Sequence, residues 1–234
     1  MLEQYAPIFN KYGRMLTKNL AELQGRRELV DLSSLLIKCA LYNVTEAAMG
    51  VQLDLDQKVI EDRIRINEAN GGIRKDGLMH SKGSLYKGKL MAFLDLLLTL
   101  REEQQLNTVQ VREEVDALMF GGHDSISHTM MWFLWSMACH PDFQDKLRAE
   151  VADHFGLAIQ GETVLELTAS DVNKLPYLDR CLRETLRMFP VFPILERELQ
   201  SDLRIGDKTL PRGATVAILP LIIHHNEKNL NLIE

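Results

Sequence analysis

Cysteine is scarce: Cys39, Cys139 and Cys181 are the only three in 234 residues, an odd count with no paired spacing. A disulfide framework and a Cys-x-x-Cys zinc site are therefore not expected, and a reducing compartment fits best. Basic residues are outnumbered, 27 against 33 acids, for a net charge of -6. They nowhere form the block that neutralises phosphates, so nucleic-acid binding has no electrostatic footprint. No run of roughly eighteen apolar residues occurs. The start, Met1-Leu-Glu-Gln-Tyr5, lacks a basic region followed by an apolar one, so neither a signal peptide nor a spanning helix is expected. No internal repeat is visible, which excludes a solenoid.

What is present is apolar content, 46% of the chain, enough to bury a core in one or two domains of a soluble globular class. Residues 1–30 and 31–50 carry two helical patterns. In the second, Leu32, Leu35, Leu36, Cys39, Ala40, Asn43, Val44 and Ala47 recur at three- and four-residue steps, with Gly50 as the stop. A helix is expected over about 56–68. Asn70-Gly-Gly and Ser81-Lys-Gly-Ser then read as a surface loop. Leu90 to Leu100 resumes as an apolar helix. Thr108 then offers an N-cap to a long helix bearing Val111, Val115, Leu118, Met119, Ile126, Met130, Leu134 and Met137, apolar over much of its circumference and hence central.

His140-Pro141 ends that helix, because the residue before proline is pushed out of the α region while proline suits the first turn of the next. The next helix runs from Pro141 to about Phe155, with Gly156 as its stop, and another from Pro176 to Met188. Beyond Pro190 the pattern changes. Ile194–Leu199, Leu203–Ile205, Lys208–Leu210 and Thr215–Leu219 are β-prone runs, separated by the turn signals Gly206-Asp207 and Pro211-Arg-Gly213. The expected fold class is mainly α with a small β region near the C-terminus.

Chemistry is suggested first by Phe120-Gly121-Gly122-His123-Asp124-Ser125 in mid-helix, where each glycine costs ~1 kcal/mol relative to alanine. Close helix packing is one compensation. The other is a ligand lying against bare helix backbone, beside the carboxylate of Asp124 and the hydroxyl of Ser125. Glu184 and Arg187 stand three apart on one helical face, where an ion pair forms readily. The histidines make no zinc site: His123 and His128 fall on different faces, and the side chains of His224 and His225 diverge.

The order of these features, a Gly-Gly-His-Asp-Ser helix, His-Pro, Leu-Pro-Tyr-Leu, Glu-x-x-Arg, proline and a hairpin region, resembles the cytochrome P450 family, most closely its fatty-acid hydroxylating animal branch. The likeness extends from Met1-Leu-Glu-Gln-Tyr5 through Glu46-Ala-Ala-Met-Gly50 and Arg112-Glu-Glu-Val-Asp116 to Arg204-Ile-Gly-Asp-Lys-Thr-Leu-Pro211. It implies a haem-thiolate monooxygenase that takes NADPH electrons through a flavoprotein reductase and oxidises an apolar, fatty-acid-like or xenobiotic substrate at the cytoplasmic face of the endoplasmic reticulum membrane. By resemblance Gly121 and Gly122 cross the distal face of the haem, and Asp124 and Ser125 are the proton-relaying pair. Glu184 and Arg187 are the structural pair of the proximal side, and Arg197 contacts a haem propionate.

Departures from the family pattern carry expectations of their own. Residues 1–234 are expected to be a single partial domain, an incomplete fold of this family without the N-terminal anchor, the substrate-roof helices after Gly50 and the loop carrying the axial cysteine. None of the three cysteines has a glycine-rich approach. Serine at 125 stands where threonine is usual, and Gly121 stands where a glutamate able to bond haem covalently is common. The chain as it stands is expected to be inactive, with a haem-free helical scaffold or interaction protein as the alternative. An unrelated helical bundle is a third reading, and it would show no hairpin after Pro190.

Overall fold

The computed structural model describes residues 2–25, 30–50, 93–156 and 166–226. The helix expected over 56–68, the loop of 70–84, and the junction after Gly50 where roof helices would be inserted lie outside the described residues. These residues form two compact units: Met1–Ser127 with Val164–Val172, and His128–Thr163 with Asn173–Glu234.

In the first unit, a 3₁₀ turn over Leu2–Tyr5 leads into α1 (Ala6–Ala21), started by a proline in its first turn. The second helix, α2 (Ser33–Val44), continues as a π-helical segment over Thr45–Met49. Gly50 ends it at φ 67°, a left-handed conformation that glycine adopts without a Cβ penalty. The pattern over 31–50 is thus one α-helix with a looser last turn. Tyr12 and Leu16 of α1 are buried, as are Leu36, Cys39 and Ala40 of α2. Helix α3 (Phe93–Glu102) turns Leu94, Leu97 and Leu98 toward Val111 and Val115 of α4 (Thr108–Cys139) and toward Met49, and these six residues make one core cluster.

The N-cap of α4 is Asn107 rather than Thr108. Asn107 Oδ1 accepts the Gln110 amide at 3.0 Å, and Gln110 Oε1 accepts the Asn107 amide at 2.9 Å, a reciprocal capping box one residue earlier than expected. The short α6 (Ala169–Val172) belongs to this unit too, preceded by Leu167, whose amide and carbonyl both bond the Asn10 side chain at 3.0 and 2.8 Å.

The second unit holds the end of α4, α5 (Pro141–Phe155), α7 (Pro176–Met188) and the β region. All these helix bounds match the proline and glycine signals. Strand β1 (Leu195–Glu198) pairs antiparallel with β4 (Thr215–Ile218), and β2 (Leu203–Ile205) pairs with β3 (Lys208–Leu210). Gly206, at φ 63°, makes the β2–β3 hairpin turn. Pro211-Arg-Gly213 does not join β3 to a neighbouring strand; it returns the chain to β1. A closing helix, α8, covers Pro220–His224. The chain is mostly helical with a small two-sheet β region, and the presence of that hairpin argues against an unrelated bundle.

The centrality expected of α4 is only partly met. Val111, Val115, Ser127 and Met137 are buried, while Phe120, Ile126, Trp132 and Trp135 are exposed. Among the described residues no helix is long and apolar enough to cross a membrane.

Candidate functional site

The two glycines of α4 face different surroundings. Among the described residues, a Cβ on Gly121 would meet nothing within 4 Å, whereas one on Gly122 would lie 2.9 and 3.0 Å from the two methyl carbons of Val44 at the end of α2. Gly122 therefore answers to helix packing, and Gly121 leaves a strip of backbone open. Beside that strip, Ser125 Oγ donates to the Gly121 carbonyl at 2.6 Å, and Ser127 Oγ donates to the Asp124 carbonyl at 3.0 Å. His123 Nδ1 lies 2.6 Å from the Met119 carbonyl. Hydroxyls that bond back into the ladder share its carbonyls and favour bending at that turn.

Nearby in the same unit, sequence patterning gave no warning of a further cluster. Glu46, on the π-helical segment, accepts from Tyr12 Oη at 2.5 Å and from Lys11 Nζ at 2.6 Å, while the Tyr12 and Tyr42 rings stack at 5.3 Å. Burial, then the Glu46 hydrogen bond, pushes the Tyr12 pKa up. These residues are thirty-odd positions apart in the chain, so only the packing of α1 on α2 reveals them.

In the second unit, Arg187 forms a two-pronged pair with Glu184, Nε to Oε2 at 2.7 Å and Nη2 to Oε1 at 2.6 Å, and donates Nη1 to the His224 carbonyl at 2.6 Å. The Arg187 side chain is 20% exposed and that of Glu184 60%. The carboxylate is open to water, and the guanidinium finds a carbonyl acceptor on α8. Arg187 holds the Glu184 carboxyl below its ordinary value, and Glu184 in turn raises Arg187. Arg197, on β1 opposite Val216, is exposed and donates Nη1 to the neighbouring Glu196 carbonyl at 2.7 Å.

Helix α7, which carries the pair, is held at its start by a residue that patterning missed. Pro176 brings no N–H, and the next two amides, of Tyr177 and Leu178, donate to Glu150 Oε1 and Oε2 at 2.7 and 2.9 Å. A carboxylate from α5 thus satisfies both orphan donors and opposes the positive end of the helix. Trp135, Phe143, Tyr177, Met188 and Phe189 line a groove of about 730 Å³ along α7.

The three cysteines lie in different surroundings. Cys39 is buried against the Tyr12 carbonyl, and burial pushes its pKa up, as it does for Cys181; Cys139 is exposed at the end of α4. Among the described residues no group of three or more His, Cys, Asp or Glu could hold a metal ion. The open backbone at Gly121 fits a flat group such as a haem.

The family model Cytochrome P450 matches residues 72–229, most of the chain and all of both candidate motifs. The chain belongs to this family. Similar proteins include cytochrome P450 4g15 of Drosophila melanogaster, 39% identical over 157 residues, which are 66% of this chain and 26% of that protein. Cytochrome P450 4d1 of Drosophila simulans is 33% identical over 193 residues, 80% of this chain and 36% of that protein. Human cytochrome P450 4V2 is 34% identical over 173 residues, 73% of this chain and 31% of that protein. The chain spans between 26% and 36% of the length of these cytochrome P450 relatives.

Proposed function

We propose that this chain is the part of a haem-thiolate monooxygenase that carries the oxygen-side helix and the Glu-x-x-Arg helix, within one catalytic domain. In this reading the whole protein inserts one atom of O2 into an apolar, fatty-acid-like or xenobiotic substrate. NADPH electrons reach it through a flavoprotein reductase at the cytoplasmic face of the endoplasmic reticulum membrane. The supporting observation is the family match across residues 72–229, which takes in Gly121–Ser125, Glu184, Arg187 and Arg197 together.

Haem held by a thiolate would supply the oxygen chemistry. This chain's own residues would shape its surroundings. Gly121 leaves backbone bare for a flat group, and Asp124 with Ser125 is an acid–alcohol pair able to pass a proton through Ser125 Oγ. Arg187, locked to Glu184 and to the His224 carbonyl, ties α7 to α8. Arg197 carries a guanidinium suited to a propionate, because its planar fork donates two parallel bonds.

The test is a chimera in which residues 2–226 replace the matching segment of one of the relatives above. Its reduced carbon monoxide complex should show the thiolate signature, and Ser125→Ala in it should lower product per NADPH while raising peroxide release. Unchanged coupling would reduce Ser125 to a packing residue. This chain alone should bind haem weakly or not at all on titration. The protonated state favoured for Cys39 and Cys181 and the exposed apolar side chains support a second reading, a haem-free helical scaffold. A chimera that folds without taking up haem would favour it.

A further inference from the structure

The contact between Val44 and Gly122 has the character of a gauge. Val44 is the last α-helical residue of α2, and its two methyl carbons would stand 2.9 and 3.0 Å from a Cβ at Gly122, the first closer than Cβ atoms come to a neighbour and the second tighter than nearly all such contacts. A β-branched side chain in a helix is confined to one main rotamer, so those methyls cannot swing aside. The backbone around them is tied down as well. Thr45 Oγ1 donates to the Leu41 carbonyl at 2.6 Å, Thr45 is fully buried, and Glu46 is bonded to Tyr12 and Lys11 of α1. Val44 therefore presents a stiff, anchored surface to α4.

The stretch of α4 that meets it shares several of its ladder carbonyls with side chains. Between Met119 and Asp124, three carbonyls are shared with the side chains of His123, Ser125 and Ser127. Such sharing leaves the local axis of a helix open to bending, so the axis here is set by whatever packs against it. Gly122 takes Val44 into its notch, while a Cβ at Gly121, one residue away, would meet nothing among the described residues.

We propose that Val44 is a positioning residue: docked in the notch of Gly122, it sets the course of α4 through Asp124 and Ser125. Its consequence for catalysis rests on the function proposed above; its effect on α4 does not.

The experiment uses Val44→Ala, Gly122→Ala and the double variant in this chain, read by amide hydrogen exchange. Removing the two methyls leaves only the Cβ of residue 44, 3.6 Å from a Cβ at 122, an ordinary contact. Val44→Ala should raise exchange over 121–127 about tenfold while leaving Leu94–Leu98 protected, since opening is a local event with its own free energy. Gly122→Ala should lose protection over the same stretch or fail to fold, and the double variant should regain it. A double variant no better protected than Gly122→Ala, or a Gly122→Ala chain that exchanges like the parent, would overturn the proposal. In the haem-loaded chimera, Val44→Ala should also lower product per NADPH and the double variant restore it. Rescue of exchange with no change in coupling would uphold the positioning and refute the role of Asp124 and Ser125 in proton delivery.

Discussion

Replacing Glu150 by alanine removes the acceptor of two main-chain donors at once. The Tyr177 and Leu178 amides, 2.7 and 2.9 Å from the two carboxylate oxygens, then have only water to turn to, and the Leu175 side chain preceding the helix offers no cap. A helix cap is worth about 0.5–2 kcal/mol, and a hydrogen bond to a charged group about 1.5–3 kcal/mol where water is excluded. Glu150 is half-buried and water can partly replace it, so the expected loss is about 2 kcal/mol for alanine. Glutamine keeps one accepting oxygen and serves one amide, so about half that loss is expected. With a urea dependence of about 1–3 kcal/mol per molar, alanine should lower the unfolding midpoint by about 1 M, with glutamine in between. Circular dichroism at neutral pH reads the midpoint, and amide exchange at Tyr177 and Leu178 reads the cap itself. An alanine variant with the parent's midpoint and unchanged exchange at those two amides would show that Glu150 does not hold α7.

The pair on α7 has a defined acid limit. Because Arg187 depresses the Glu184 pKa, its contribution is complete above the ordinary value of 4.5 and is lost as pH falls through the depressed value. Glu184→Gln should therefore flatten the acid side of the stability profile and lower its plateau above pH 4.5 by a constant amount. Thiol labelling should modify exposed Cys139 first and Cys39, 4% exposed with a raised pKa, last. The exposed Phe192, Ile194, Ile205, Ile222 and Ile223 should bind an apolar dye and drive aggregation, and a sharp unfolding transition without dye binding would contradict this.

Local signals read well in this sequence. His140-Pro141, Gly156, Pro176 and Gly50 each dictate a backbone state within a residue or two of themselves, and the helix ends fall there. The Asn107–Gln110 box was equally local, but Thr108 sits between its members and is the commoner-looking cap. Pairings across distance were not legible. Strand β4 returns to β1 past the β2–β3 hairpin, and Glu150 reaches α7 from 27 residues away, so neither follows from any window of the chain. The two candidate glycines are adjacent and chemically identical, and only the position of Val44 distinguishes them. Glu184 and Arg187 were paired correctly by spacing, whereas the exposure of Glu184 depends on what α8 covers.

The two tryptophans of the chain, Trp132 and Trp135, lie perpendicular with ring centroids 5.6 Å apart, and Phe189 stacks on Trp132 at 4.2 Å. The whole indole emission of the protein therefore originates at one address in the second unit, where α4 ends and α7 gives way to the β region. At that separation excitation passes between the rings before it is emitted, so the light leaves depolarised even from a rigid molecule. A melting curve followed at indole wavelengths is a record of this aromatic junction alone, and tyrosine emission is the channel through which α1 and α2, with Tyr12 and Tyr42 stacked, report on the first unit.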